Sequence, residues 1–288
     1  MPALSDKPSS PARRRVLRTV AIGLLASACT TLYAGEIEPD HLEVVRHNIK
    51  IPGWPRSAAG LQIGQLSDLH CQSARSVARA HQAVALLLAQ KPDIVFLTGD
   101  FVSSSSRYVL ACTEAIAPIT AVPRGVFAVL GNHDWGGRHR RERPAYVTRE
   151  LERIGIQVLR NRAAPLPEVS GTWLVGLDPR SMNAQDPQKA LHGIPENAIK
   201  LLLIHEPDFA DEAPSGFALQ FSGHSHGGQI RLPGLPPLHC PSFGQQYPEG
   251  LQQARNHRVY TSRGVGMVGP QMRFCCPPEV TVLTLFPA

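Results

Sequence analysis

Five short, largely apolar runs recur along the chain, and each ends on residues able to bind a metal ion. Residues 61–66 lead into Ser67-Asp68-Leu69-His70, residues 94–98 into Gly99-Asp100, and residues 126–130 into Gly131-Asn132-His133-Asp134. Residues 201–204 lead into His205, and residues 217–221 lead through Ser222 into Gly223-His224-Ser225-His226. Runs of this length read as strands buried on both faces, the kind found in parallel sheets. Between them, helical spacing predicts helices over residues 77–90, 108–116 and 146–154. The first stops before Lys91-Pro92, where proline blocks continuation, and the last at Gly155. From residue 156 the pattern turns to strands, at 156–159, 172–175, 258–261 and 280–286. Residues 36–60 read as a strand (42–45) followed by a proline and glycine linker around 51–55. Alternating βα units followed by a strand-rich half predict an α/β protein: two mixed β-sheets packed face to face, with helices outside.

In such sheets the carboxyl ends of neighbouring strands converge on one crevice, where sites form. Taken singly, each polar strand end has a structural use. Asp68 and Asp100 fit as caps or turn residues, Asn132 as a left-handed turn residue beside Gly131, and His205 as an interior histidine. Five of them sharing one crevice are hard to explain by packing. His224 and His226, one residue apart, point the same way in an extended backbone, and imidazole is the commonest neutral metal ligand. The expectation is a metal site.

The ordered set Asp68-Leu69-His70, Gly99-Asp100, Gly131-Asn132-His133-Asp134, His205 and Gly223-His224-Ser225-His226 resembles the calcineurin-like metallophosphoesterase superfamily. The resemblance spans residue 61 to the C-terminus. Thr261-Ser262-Arg263-Gly264-Val265-Gly266, Arg273-Phe274 and Pro277-Pro278-Glu279-Val280-Thr281 make the chain similar to a bacterial branch of membrane-tethered phosphodiesterases. Relatives in that branch cleave UDP-2,3-diacylglucosamine in lipid A synthesis. The resemblance implies a four-layer sandwich with a two-metal site. Asp68, His70 and His226 hold the first ion, Asn132, His205 and His224 the second, and Asp100 bridges them. Two such ions acidify a water, clamp phosphoryl oxygens and stabilise an in-line transition state. A mixed nitrogen and oxygen ligand set without thiolate suits Mn²⁺, Fe or Zn²⁺ better than Ca²⁺. The resemblance also gives His133 the leaving-group proton. Asp134 either orients that imidazole or accepts backbone hydrogen bonds in its turn. Arg263 and Arg273 are candidates for holding a substrate phosphate through their planar donor forks, with a surface salt bridge as the alternative. One departure is notable: many relatives carry an acidic residue shortly after Gly-Asp, where this chain has Phe101-Val102-Ser103.

Charge narrows the partners. The 288 residues carry a net charge of +6, but Lys7, Arg13, Arg14, Arg15 and Arg18 against Asp6 place +4 of it in residues 1–18. The remainder is close to neutral and has no nucleic-acid footprint. A local basic cluster over residues 138–143 meets either an anionic substrate or lipid surface, or solvent. Arg13 to Arg18 has the twin-arginine form, and the uncharged stretch 19–35 suits a signal peptide or an N-terminal membrane anchor. Ala26-Ser27-Ala28 resembles a cleavage site. The expected domains are residues 1–35 (leader or anchor), 36–60 (strand and linker) and 61–288 (catalytic). Clustered arginines stay cytoplasmic, which puts the catalytic domain on the periplasmic face of the inner membrane. A lipid A role requires the cytoplasmic face instead. The loop Leu232-Pro233-Gly234-Leu235-Pro236-Pro237-Leu238 either cradles an acyl chain, touches the membrane, or forms a rigid lid over core. The six cysteines show no C-x-x-C spacing, and Cys71, beside His70, reads as a small buried filler.

Overall fold

A computed structural model describes residues 11–103, 105–136 and 142–288. The cluster at 138–141 lies outside the described residues, as do the side chains of Arg13 and Arg14. Six helices and twelve strands alternate among the described residues. The chain enters through α1 (Pro11–Leu32), β1 (Glu43–Ile51), β2 (Leu61–Leu66), α2 (Ala74–Leu88) and β3 (Ile94–Leu97). It continues with α3 (Val109–Ile116), β4 (Val126–Ala128), α4 (Asn132–Trp135), α5 (Arg143–Arg153), β5 (Gln157–Val158) and β6 (Arg162–Pro165). The second half holds β7 (Thr172–Gly176), α6 (Pro187–Leu191), β8 (Ile199–Leu203), β9 (Phe217–Ser222), β10 (Gly250–Gln253), β11 (Arg258–Thr261) and β12 (Glu279–Pro287).

The strands form two six-stranded sheets, ordered β1-β12-β2-β3-β4-β5 and β10-β11-β9-β8-β7-β6. Both are mixed: β2 to β5 run parallel while β12 opposes β2, and β7, β8, β9 and β11 run parallel while β6 and β10 oppose their neighbours. Period-two alternation explains why the apolar runs are continuous. Ile94 and Phe96 of β3 face the core between the sheets, whereas Val95 and Leu97 face the core under α2, α3 and α5. Phe96 meets Phe221 of the other sheet edge to face, with ring centroids 5.0 Å apart. A third core packs Leu202 and Ile204 beneath α6. Helices therefore flank two stacked sheets, as expected.

Local signals explain the helix limits. Ser73 caps α2 by accepting from the Ser76 N–H, and Ser76 Oγ accepts in return from the Ser73 N–H. Strand β1 runs through residue 51 instead of stopping near 45, because β12 offers it nine paired positions in parallel register.

Candidate metal centre

The turns leaving β2, β3, β4, β8 and β9 converge at one end of the two sheets. Their glycines allow the approach. A Cβ on Gly131 would collide with the Asp100 carboxylate, and one on Gly223 with Ser67 Oγ and the Asp68 carboxylate. Five of the converging residues hold left-handed backbone: Asp68 (φ 53°), His70 (45°), Asp100 (55°), His224 (68°) and His226 (52°). Non-glycine residues rarely stay there unless surroundings force them, and such outliers gather at functional sites. The expectation of an extended His-x-His pair is thereby corrected. Left-handed backbone at both 224 and 226 breaks the extended run, and the two rings part, His224 toward His205 and Asp100, His226 toward His70 and Asp68.

Seven side chains assemble there. Nε2 of His70 and Nε2 of His226 lie 3.1 Å apart, and Asp68 Oδ1 stands 3.3 Å from His226 Nε2 and 3.8 Å from His70 Nε2. Asp100 Oδ2 sits between the two halves, 3.4 Å from His70 Nε2 and 3.1 Å from His205 Nε2. His205 and His224 pack edge to face at 4.9 Å. Donor atoms about 2.1 Å from one ion stand roughly 3.0 to 3.4 Å from each other at octahedral or tetrahedral angles, so this spacing suits metal ions. Asn132 Oδ1 and His205 Nε2 are buried and make no hydrogen bond, so both are unsatisfied polar atoms at the centre. The groups Asp68, His70, His226 and Asp100, His205, His224 each bring their ligand atoms within 4.8 Å of one another. The residues fit a pair of metal ions.

Charge agrees with geometry. Burial opposes ionisation of Asp68, yet His226 and His205 outweigh it and hold that carboxylate well below its usual range. Asp100 is held low in the same way, chiefly by His205. The two carboxylates in turn drive His205 well above the ordinary histidine value despite its burial. Buried and nearly inaccessible, this pair of acids demands a compensating cation. Burial pushes His226 down to about 4, leaving a neutral imidazole of the kind that ligates metals.

Partners behind the ligands select which ring nitrogen faces inward. His205 Nδ1 donates to the Thr98 carbonyl at 2.7 Å, and His224 Nε2 donates to the Ser242 carbonyl at 2.9 Å. His70 Nδ1 lies 3.1 Å from Ser103 Oγ. The two carbonyls fix tautomer and orientation, and Ser103 orients the His70 ring. Of the three, only Ser103 left a trace in the sequence, as the residue near the position where relatives are acidic. Ser242 sits eighteen residues past His224 in an irregular loop and carried no signal.

His133 stands beside this centre, its ring 4.9 Å from that of His70, and lines a cavity of about 480 Å³ together with Asp100, Asn132, His224 and His226. Burial pushes its pKa down, against the pull of Asp100. The outer cavity wall is apolar, with Ile230, Leu238 and Val268 among its residues. Asp134 is placed elsewhere. Its carboxylate accepts from the backbone N–H groups of Asp100 (2.8 Å), Gly131 (2.9 Å), Phe101 (2.9 Å) and Val102 (3.3 Å), so it ties the Gly-Asp turn to the Gly-Asn-His turn. Of the two uses expected for Asp134, this geometry is the backbone one. Burial and the Asp100 charge push its pKa up to about 7.

Neither expected phosphate-binding arginine lines the cavity. Arg263 is committed to Glu279 and Glu43, each at 2.9 Å. Arg273 is fully buried and donates to the carbonyls of Arg263, Gly264, Gly266 and Cys276. Gly266 N donates to the Asp68 carbonyl and Val265 N to that of Ser67, so Arg273 braces the loop that backs Asp68.

Residues 61–228 match the family model for calcineurin-like phosphoesterase. The chain is 31% identical over 283 residues to the uncharacterized metallophosphoesterase YkuE of Bacillus subtilis, covering 95% of this chain and 97% of YkuE. It is 31% identical over 276 residues to the phosphodiesterase YaeI of Escherichia coli, covering 95% and 98%. Identity to the UDP-2,3-diacylglucosamine pyrophosphatase LpxG of Chlamydia trachomatis is 26% over 331 residues, covering 92% of this chain and 98% of LpxG. With the clustered ligand atoms, these likenesses place the chain in the calcineurin-like phosphoesterase family, as a metal-dependent hydrolase of phosphoric esters.

Proposed function

We propose that the protein hydrolyses a phosphodiester or pyrophosphate bond in an envelope lipid or nucleotide-linked substrate, of which UDP-2,3-diacylglucosamine is the leading candidate. The observation that carries this reading is the junction of two chemistries: Asp100 and His133 at the floor of a cavity whose outer wall is apolar. Asp68, His70 and His226 would hold one divalent ion, Asn132, His205 and His224 the other, and Asp100 would serve both. Mn²⁺ is the expected metal, with Fe or Zn²⁺ as alternatives. Bound there, the ions supply Lewis acidity to a water and to the phosphoryl oxygens.

The chain's own residues do the rest. His133, beside the ligands and open to the cavity, holds or supplies the leaving-group proton. Its burial disfavours the charged imidazole, and an arriving phosphate supplies the negative charge that favours it. Asp134 keeps the two catalytic turns in register. The N-terminal helix serves as leader or anchor, and the arginines in its first turns keep that end cytoplasmic, which puts the site on the periplasmic face; the lipid A reading puts it on the cytoplasmic face instead.

A second reading rests on the relatives at 31% identity, one of them named a phosphodiesterase: a generic periplasmic diesterase unconnected with lipid A. The test is to load the purified full chain with Mn²⁺ and assay UDP-2,3-diacylglucosamine beside bis(p-nitrophenyl) phosphate, each with an EDTA control. EDTA-sensitive cleavage of the lipid nucleotide supports the first reading. Cleavage of the generic diester alone supports the second, and no cleavage of either overturns both.

A further inference from the structure

Fifteen large apolar side chains are exposed among the described residues, and their distribution is uneven. Nine lie between Val16 and Ile37, and five lie in two segments beside the cavity: Ile230, Leu232, Leu235, Leu238 and Val268. Only Leu110 lies elsewhere. Scattered exposed leucines are ordinary, but a cluster rimming a cavity marks a contact surface. Leu232, Leu235 and Leu238 are 48%, 52% and 67% exposed, too open for a lid resting on core. Three prolines restrict the segment that carries them, so holding the leucines outward costs little further entropy.

The helix and the rim meet on one short segment. Residues 15–40 are long and apolar enough to cross a membrane, and the apolar window within them is unburied. At about 1.5 Å per residue, the 14 uncharged residues of α1 past Arg18 reach roughly 21 Å, and the long Arg15 and Arg18 side chains extend to the head groups to span the rest of a hydrocarbon core. Past α1 the chain is seated on the domain. The Arg273 N–H donates to the Ala34 carbonyl at 2.9 Å, and the Tyr33 ring meets Phe274 edge to face at 6.4 Å. The buried Glu38 carboxylate accepts from the N–H groups of Cys275 (3.0 Å) and Cys276 (2.6 Å). Phe274 in turn bridges Ile230: its N–H donates to the Gln229 carbonyl, and its carbonyl accepts from the Arg231 N–H. The helix exit and the rim are therefore the two sides of residues 273–276.

A spanning helix fixes the bilayer plane at its exit, and apolar groups within a strand's width of that exit fall in the interfacial layer. We infer that the rim formed by Ile230, Leu232, Leu235, Leu238 and Val268 docks on the phospholipid bilayer crossed by α1, so that the cavity mouth opens at the lipid surface. The consequence for substrate rests on the phosphoesterase reading above. An amphiphile enters sideways from the leaflet, its phosphate reaching the metal centre while its tail stays in lipid.

The experiment places a reporter on the rim. Leu235→Trp and, as a second site, Leu232→Trp are made in the full chain, with the exposed Gln253→Trp, beside Gly216 at the end of the sheet opposite the cavity, as control. Each protein is reconstituted in vesicles of phosphatidylcholine with and without brominated acyl chains. The fluorescence added at 235 or 232 should fall at least twofold in brominated lipid, while that added at 253 stays unchanged. Unquenched emission at both rim positions, or equal quenching at 253, overturns the inference. Hydrolysis of bis(p-nitrophenyl) phosphate and of UDP-2,3-diacylglucosamine by the unaltered chain is measured in parallel. The absence of both would remove the phosphoesterase reading and leave the quenching result intact, so the two failures are distinguishable.

Discussion

Ser103 Oγ lies 3.1 Å from His70 Nδ1, in a nearly buried position, and decides which nitrogen of that ring faces Asp68 and Asp100. Outer partners of metal-ligating histidines typically contribute ten- to a hundredfold in metal affinity or activity, roughly. Ser103→Ala should therefore weaken Mn²⁺ binding by about tenfold, and Ser103→Asp, a stronger acceptor in the same place, should restore it. Calorimetric titration of the three proteins checks this. Equal affinities would show that His70 is oriented by packing alone.

His133 lines the cavity and brings a ring nitrogen within 4.8 Å of the donor atoms of His70 and Asp100, yet it shares no group with Asp68, His205, His224 or His226. Replacing it by alanine should leave metal content intact while lowering kcat by about 10² to 10⁴, the usual span for a lost general acid. Plasma emission spectrometry and diester kinetics on one preparation separate the two effects. Metal loss in step with activity would make His133 a ligand.

Asp100 Oδ2 stands within 3.4 Å of a ligand nitrogen from each half of the centre. Asparagine keeps the shape and removes the charge that both halves share. Asp100→Asn should lose metal from both positions, reading well below one equivalent per chain. A variant that keeps two equivalents contradicts the bridging role.

The site was legible because burial on both faces makes β2, β3, β4, β8 and β9 largely continuous apolar runs, and each of these five leads into a ligand. The two edge strands of the second sheet left no such trace. β6 carries Arg162 and β10 carries Gln252 and Gln253, so neither shows a period, and each is held by antiparallel pairing with the strand that follows it, β7 and β11. The same blindness to context explains Arg273, whose charge suggested phosphate and whose complete burial assigns it to backbone carbonyls. Left-handed turns at 224 and 226 were equally hidden, since histidine does not announce a positive φ.

Burial lowers the pKa of His257, with Asp211 opposing weakly, and its Nε2 lies 3.1 Å from Gln220 Oε1. A histidine whose folded pKa lies below its unfolded value of about 6.5 lets the unfolded chain bind more protons at acid pH. Its contribution is complete above pH ~6.5 and is lost as pH falls toward the folded pKa. The Tm of Mn²⁺-loaded protein should drop between pH 7 and pH 5, and His257→Gln should shrink that drop. Identical pH slopes would show that His257 titrates alike in both states.

Arg273 has no accessible surface, and its two terminal nitrogens serve four carbonyls around the loop that backs Asp68. Removing the guanidinium leaves those acceptors buried and unpaired, and lysine, a point charge, cannot span them. Arg273→Met should cost about 3–5 kcal/mol of stability, the range seen when a buried charged partner is removed. Urea denaturation at unchanged m-value measures the loss. Because Gly266 N holds the Asp68 carbonyl, metal affinity should fall as well, while KM for a diester in the protein that remains folded and loaded should hold. A raised KM at full metal occupancy and wild-type stability would return Arg273 to the substrate.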